Sequence, residues 1–207
     1  TFCDWRMPVN PSDPGTGQKK SLFIGYIINR ISMNKNFLVA VIGSTGSGKS
    51  WSSLALAEKL DPDFNIDKVS FSGREFMQLI NNKPPRGSVL VFEEGGVNLA
   101  SRNWQSSMNR MLNYCLQTFR SMNYVLILNL PDITFLDSQS RKLLHCILET
   151  ERINYQTQSV LIRPKFVQNN SLLGKAYIKY PRQRTAKGIV KLKKLWIGKP
   201  SALLIEQ

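Results

Sequence analysis

Eight consecutive residues, Gly43-Ser44-Thr45-Gly46-Ser47-Gly48-Lys49-Ser50, carry the strongest chemical signal in this sequence. The run fits G-x-x-x-x-G-K-[ST] in full, a spacing suited to cradling a triphosphate. A triphosphate is a dense cluster of negative oxygens, so holding it takes many N–H donors close together. Small residues let the backbone curl around the β-phosphate, and glycine accepts the dihedrals that the curl requires. A helix that begins where the loop ends turns its positive N-terminus toward the same oxygens. Lys49 has the reach for the β- and γ-phosphates, and the Ser50 hydroxyl can ligate Mg²⁺. Residues 43 to 51, Trp51 included, are therefore the expected nucleotide-binding set, with ATP and Mg²⁺ as cofactors.

A second reactive group stands at the end of an apolar run, Val89-Leu90-Val91-Phe92-Glu93-Glu94. If the run is a strand beside the loop, Glu93 would hold a water on Mg²⁺. Glu94 would orient and polarise the water that attacks the γ-phosphate. Adjacent acids at such a strand end mark hydrolytic machines rather than small-molecule kinases. Most of those enzymes carry Asp at the first position. Here it is Glu93, whose longer side chain still reaches a metal-bound water. The plainer alternative is a solvated Glu-Glu turn ahead of Gly95-Gly96.

These groups need a scaffold, and from residue 37 short apolar runs alternate with helical patterns over about 100 residues. Residues 37 to 42 (FLVAVI) read as a buried strand, and 49 to 60 as a helix that ends before Asp61-Pro62. Residues 68 to 71 read as a short strand. Ser72 with Glu75 three positions on predicts a capped helix to about residue 82. A turn at 84–87, a strand at 88–92, a long helix at 101–122 and a strand at 124–130 follow. Residues 137 to 148 read as a helix running into a fifth strand near Leu143 to Leu148. Such alternation predicts a parallel sheet covered on both faces. Residues 1 to 36 read as an extended arm and one helix, and 37 to 150 as the core. Residues 151 to 207 read as a basic, β-rich extension of the same domain, built of hairpins or edge strands.

Charge is distributed unevenly. The net charge is +14, and residues 151 to 207 contribute +10 of it. A basic excess packed into one end predicts a polyanionic partner, nucleic acid first and an anionic membrane surface second. The cysteines, Cys3, Cys115 and Cys146, form no CxxC pair, so neither a zinc site nor a disulfide framework is expected. The single histidine, His145, lies in an apolar stretch and reads as packed rather than reactive. No apolar run is long enough for a transmembrane helix and no leader is visible, so a cytoplasmic location is expected.

Downstream of the acidic pair, Gln117 onward reads QTFRSMNYVLILNLPDITFLDSQSRKLLH. This resembles the HerA/FtsK superfamily of DNA-pumping P-loop ATPases, most of all its small viral, plasmid and zonular-occludens-toxin-like members. In those proteins a helix ends in arginine, and an apolar strand then ends in a polar residue and proline. An aspartate follows, with an arginine four residues beyond it. The matching positions here are Arg120, Asn129, Pro131, Asp137 and Arg141. The resemblance spans residues 37 to 150. It implies an α/β fold, a P-loop NTPase of the RecA-like (ASCE) kind, as a three-layer sandwich with a mostly parallel central sheet. It also implies that Asn129 is a polar sensor near the γ-phosphate, a position where family members often have Gln. Arg120, Arg141 or Arg102 would reach a neighbouring subunit's nucleotide.

The leading functional expectation is an ATP-hydrolysing DNA-translocating motor, a homo-oligomer such as a hexameric ring, in genome packaging or DNA transfer. Its grip on DNA would be through the phosphate backbone, without sequence readout. A peripheral membrane assembly or secretion ATPase is the alternative. A GTPase switch would need an NKxD-type motif on a later strand. Asn34-Lys35 precedes the phosphate loop and Asn82-Lys83 runs into Pro84-Pro85, so neither serves.

Overall fold

A computed structural model describes residues 22–93, 109, 110, 112, 114, 122–170, 172–185 and 188–205. Helix α1 (Leu22–Ser32) leads into β1 (Phe37–Ile42), the glycine-rich loop and α2 (Lys49–Leu60). Then come β2 (Val69–Ser70), α3 (Gly73–Asn81), β3 (Val89–Phe92), β4 (Val125–Leu130) and α4 (Ser138–Leu143). The remainder is mostly strand: β5 (Cys146–Asn154), β6 (Ser159–Asn170), β7 (Lys175–Lys179), β8 (Arg182–Thr185), β9 (Gly188–Lys191) and β10 (Leu195–Gly198), closed by α5 (Ala202–Ile205). Of the expected helix at 101–122, the described residues 109, 110, 112, 114 and 122 are helical.

The strands join in the order β10-β6-β5-β1-β4-β3-β2, with β7 on the far part of β6. From β5 to β2 every pairing is parallel. Strands β6, β7 and β10 are antiparallel additions, and β8 with β9 forms a separate ribbon. Because β5 spans Cys146–Asn154, the sheet runs unbroken through residue 150.

Alternation along the strands sorts the core into two layers. Phe37, Val39 and Val41 of β1 face one way, with Val125 and Ile127 of β4, and pack on Phe23 and Ile27 of α1 and Leu56 and Leu60 of α2. Leu38 and Ala40 face the other way, with Leu126, Leu128 and Leu130, toward Phe76 and Ile80 of α3 and Leu112. Successive strand residues point to opposite faces, so uninterrupted apolar runs are what a sheet covered on both sides demands.

Local side chains set the element ends. Ser72 Oγ accepts from Glu75 N–H at 3.2 Å, and Glu75 Oε2 accepts from Phe71 N–H at 2.7 Å, one residue ahead of the usual capping-box partner. Asp137 Oδ1 accepts from Ser140 N–H at 2.6 Å and starts α4. That helix stops at Leu143, where a strand was expected to take over, and Cys146 to Leu148 pair with β1.

His145 is packed, as its surroundings suggested. Its Nδ1 accepts from Leu38 N–H at 3.0 Å, its own N–H donates to Leu38 O at 2.9 Å, and its ring stacks on Phe37. Loss of water around the ring, with the Arg30 charge as a lesser cause, lowers its pKa from 6.5 to about 3. The folded chain thus holds a neutral imidazole where the unfolded chain would take up a proton. The stability this contributes is complete above about pH 6.5 and drains away toward pH 3, by up to about 1.4 kcal/mol per pH unit. Urea unfolding followed through that acidic range should show this slope, and His145→Leu should remove it.

Candidate active site

The glycine-rich loop leaves the C-terminal end of β1 and curls into α2. Gly43 has φ 152° and Gly48 φ 90°, regions that side chains other than glycine rarely enter. Space is restricted as well. A Cβ on Gly43 would lie 2.1 Å from Thr150 Oγ1, and one on Gly48 would lie 2.7 Å from Val160 Cγ2. Strands β5 and β6 therefore press directly on the loop.

Its shape is held by hydroxyls. Ser47 Oγ lies 2.7 Å from Ser44 O and 2.6 Å from Thr150 Oγ1, and Thr150 Oγ1 donates to Ile42 O at 3.1 Å. Ser44 O also accepts from Ser47 N–H at 3.2 Å and from Lys49 Nζ at 3.0 Å. A carbonyl oxygen has two lone pairs. With both in use, the Ser47 proton is best placed toward Thr150. Lys49 Nζ also donates to Gly43 O at 2.8 Å, which lays the ammonium across the loop.

Strand order brings the acidic strand end to this loop. β4 lies between β1 and β3, and in register Asn129 stands opposite Val41 and Leu128 opposite Phe92. Glu93 follows Phe92 directly, with its N–H donating to Ser70 O at 2.8 Å. Ser50 Oγ donates to Glu93 Oε1 at 2.7 Å. On the other carboxylate oxygen, Glu93 Oε2 accepts from Asn129 Nδ2, and Asn129 Oδ1 accepts from Ser53 Oγ. Asn129 and Ser53 are buried. The result is a hydrogen-bonded chain, Ser53–Asn129–Glu93–Ser50, joining α2 to two strand ends.

The two residues expected to serve the metal thus touch. A hydroxyl and a carboxylate are hard oxygen donors, and their separation is close to the ~3 Å edge of an octahedron with ~2.1 Å bonds, which suits Mg²⁺. Among the described residues there is no cluster of three or more His, Cys, Asp or Glu. Two protein-side oxygens leave the other positions to water and phosphate, the arrangement Mg²⁺ prefers. The donor set fits the ion, and the left-handed loop with Lys49 across it fits a polyphosphate.

The remaining expected residues divide. Gly46 adopts φ 77° at the exposed crest of the loop, beside Ser44 and Thr45. Trp51 lies in the first turn of α2 with its indole N–H buried and without a hydrogen-bond partner among the described residues. Arg141 belongs to another cluster, where its Nε donates to Leu136 O at 2.7 Å. Glu94, Arg102 and Arg120 lie outside the described residues. Asn129 was expected as a sensor, and its amide is committed to Glu93 and Ser53. Ser53 and Thr150 are the site residues that sequence reasoning missed. Ser53 carried a weak signal, three residues after Ser50 on the same face of a helix.

A parallel sheet of order β5-β1-β4-β3-β2, with the glycine loop after β1 and an acid after β3, decides the architecture. The fold is that of P-loop nucleoside triphosphatases. It resembles the N-terminal domain of zonular occludens toxin from Neisseria meningitidis at 12% identity, over 70% of this chain and 93% of that one, with a TM-score of 0.41. It also resembles a KaiC-like protein from the hyperthermophilic archaeon Pyrococcus horikoshii at 13% identity, over 76% and 89%, with a TM-score of 0.36. At such values these are likenesses of outline, and the fold rests on the chain's own strand order and loop. No family model matches the chain, and no curated protein matches it.

One prediction concerns Thr150. Replacing it with Val keeps the shape and removes the hydroxyl that braces Ser47 and Ile42. ATP affinity should fall about fivefold, roughly one hydrogen bond. Thr150→Ser should restore it. Equilibrium titration with a fluorescent ATP analogue makes the check.

Proposed function

We propose that the chain is an ATP-hydrolysing motor of the HerA/FtsK superfamily that assembles as a homo-oligomeric ring and translocates DNA. The observation that carries the reading is the Ser50–Glu93 contact beside the phosphate loop, because it puts both ends of a metal–triphosphate site in one place. Mg²⁺, when bound, would supply charge neutralisation on the β- and γ-phosphates. Ser50 and Glu93 would hold that ion, Glu93 directly or through a water. Asn129 and Ser53 fix the carboxylate's orientation by hydrogen bonds. The loop N–H groups and Lys49 bind the phosphates, and Glu94 accepts the proton of the attacking water. Arg102, Arg120 and Arg141 are the arginines from which one subunit would complete its neighbour's site.

DNA is proposed from charge. Residues 152 to 205 hold 12 Lys and Arg and no Asp or Glu. Contacts from these cations to phosphates would give affinity that falls steeply with salt and does not depend on sequence. ATPase rate measured with and without double-stranded DNA, at low and high salt, tests it. Stimulation that fades with salt supports the motor. Stimulation by anionic vesicles alone, or a stable preference for GTP, would defeat it.

A further inference from the structure

We infer that the β6–β7 hairpin is a membrane-docking element whose apolar apex enters the boundary of an anionic bilayer while its basic stem meets the headgroups. The ATP reading is not needed for this. The hairpin lies at the end of the sheet opposite the phosphate loop. β6 runs antiparallel to β5, and Phe166 stands opposite Cys146, the first residue of β5. Val167 to Asn170 go on past that point, paired with Lys175 to Ile178 of β7. Four strand residues project the apex about 13 Å beyond β5.

At the apex Leu172 and Leu173 are 95% and 61% exposed. Their outward placement is built rather than slack, since Asn170 Oδ1 accepts from both of their N–H groups at 3.1 Å. Two adjacent leucines in water are unfavourable, and here no part of the described structure covers them. Lys175 and Lys179 stand along β7, with Tyr177 and Ile178 exposed between them. Lys142, exposed, adjoins the stem through the hydrogen bond from Asn169 Nδ2 to Lys142 O. Apolar residues at a tip with lysines behind them match the layering of a bilayer surface, acyl chains inside and anionic headgroups outside. A nucleic acid would use the lysines and leave the leucines in water. Arg182, Lys191 and Lys193, exposed and outside the hairpin, stay available for phosphates of DNA.

Flotation of the purified chain with vesicles tests the inference, using phosphatidylcholine alone and an equal mixture with phosphatidylglycerol. Binding to the mixed vesicles is expected. Leu172→Ser with Leu173→Ser should weaken it by about tenfold or more, given the CH₂ groups withdrawn from the acyl boundary. Lys175→Glu with Lys179→Glu should weaken it in a salt-dependent way. DNA binding and thermal stability of the leucine variant should match the parent. Absence of vesicle binding by the parent, or equal binding by the leucine variant, would overturn the inference. So would a leucine variant that changes oligomeric state instead, since a second copy would then be what covers the apex.

Discussion

Glu94→Gln is expected to bind Mg²⁺·ATP as the parent does and to hydrolyse it about a thousandfold more slowly, within the range general-base removal produces. The expectation follows from the position of its neighbour. Glu93 is held from three sides, by Ser50, by Asn129 and through its backbone by Ser70. A carboxylate so occupied suits metal support and has little freedom to accept a proton from water. In the proposed mechanism the base is therefore the next residue, Glu94. Glu93→Gln should behave differently: turnover should fall together with affinity for Mg²⁺, because an amide is a poorer ligand for a hard cation. Titrating Mg²⁺ at fixed ATP separates the two variants. An unchanged rate in Glu94→Gln would remove Glu94 from the mechanism.

Lys49→Ala should weaken ATP binding by about a hundredfold or more, the loss of one to two charge-assisted hydrogen bonds. In the structure the ammonium meets two carbonyls of its own loop, at 2.8 and 3.0 Å. It is the only cation within residues 43 to 50, so the loop itself holds no other charge to replace it. Folding should barely change, because those contacts are exposed or partly so and α2 is anchored by Leu56 and Leu60 in the core. Calorimetric titration with ATP, with a thermal melt of the same sample, distinguishes lost binding from lost structure.

The phosphate loop was legible because its chemistry is local: glycine spacing, lysine and serine all fall within eight residues, and the strand and helix flanking it follow from uninterrupted periodicity. The acid-bearing strand was legible for the same reason. What was not legible depends on pairs far apart in the chain. Ser53 meets Asn129 across 76 positions and Ser47 meets Thr150 across 103. A serine in a helix or a threonine at a strand end has no local mark that records such a partner. Strand order is likewise a long-range property, although it decides that Asn129 stands beside both the loop strand and Glu93. The passage from helix to strand within 137 to 148 was legible, but its exact point was not, because a short apolar run fits either periodicity. Competition from β1 for the backbone of Cys146 to Leu148 settled it. The basic character of the C-terminal part was plain from composition. Its hairpins or edge strands were expected as well, but which of them join the main sheet and which form a separate ribbon was not legible.

The most direct measurement is a titration of the purified chain with a fluorescent ATP analogue, with and without Mg²⁺, alongside Ser50→Ala. Saturable binding that Mg²⁺ tightens, with most of that tightening lost in Ser50→Ala, is the predicted result. Binding indifferent to Mg²⁺ in the parent, or identical in the two proteins, would contradict the assignment of Ser50 and Glu93 to the metal end of a triphosphate site.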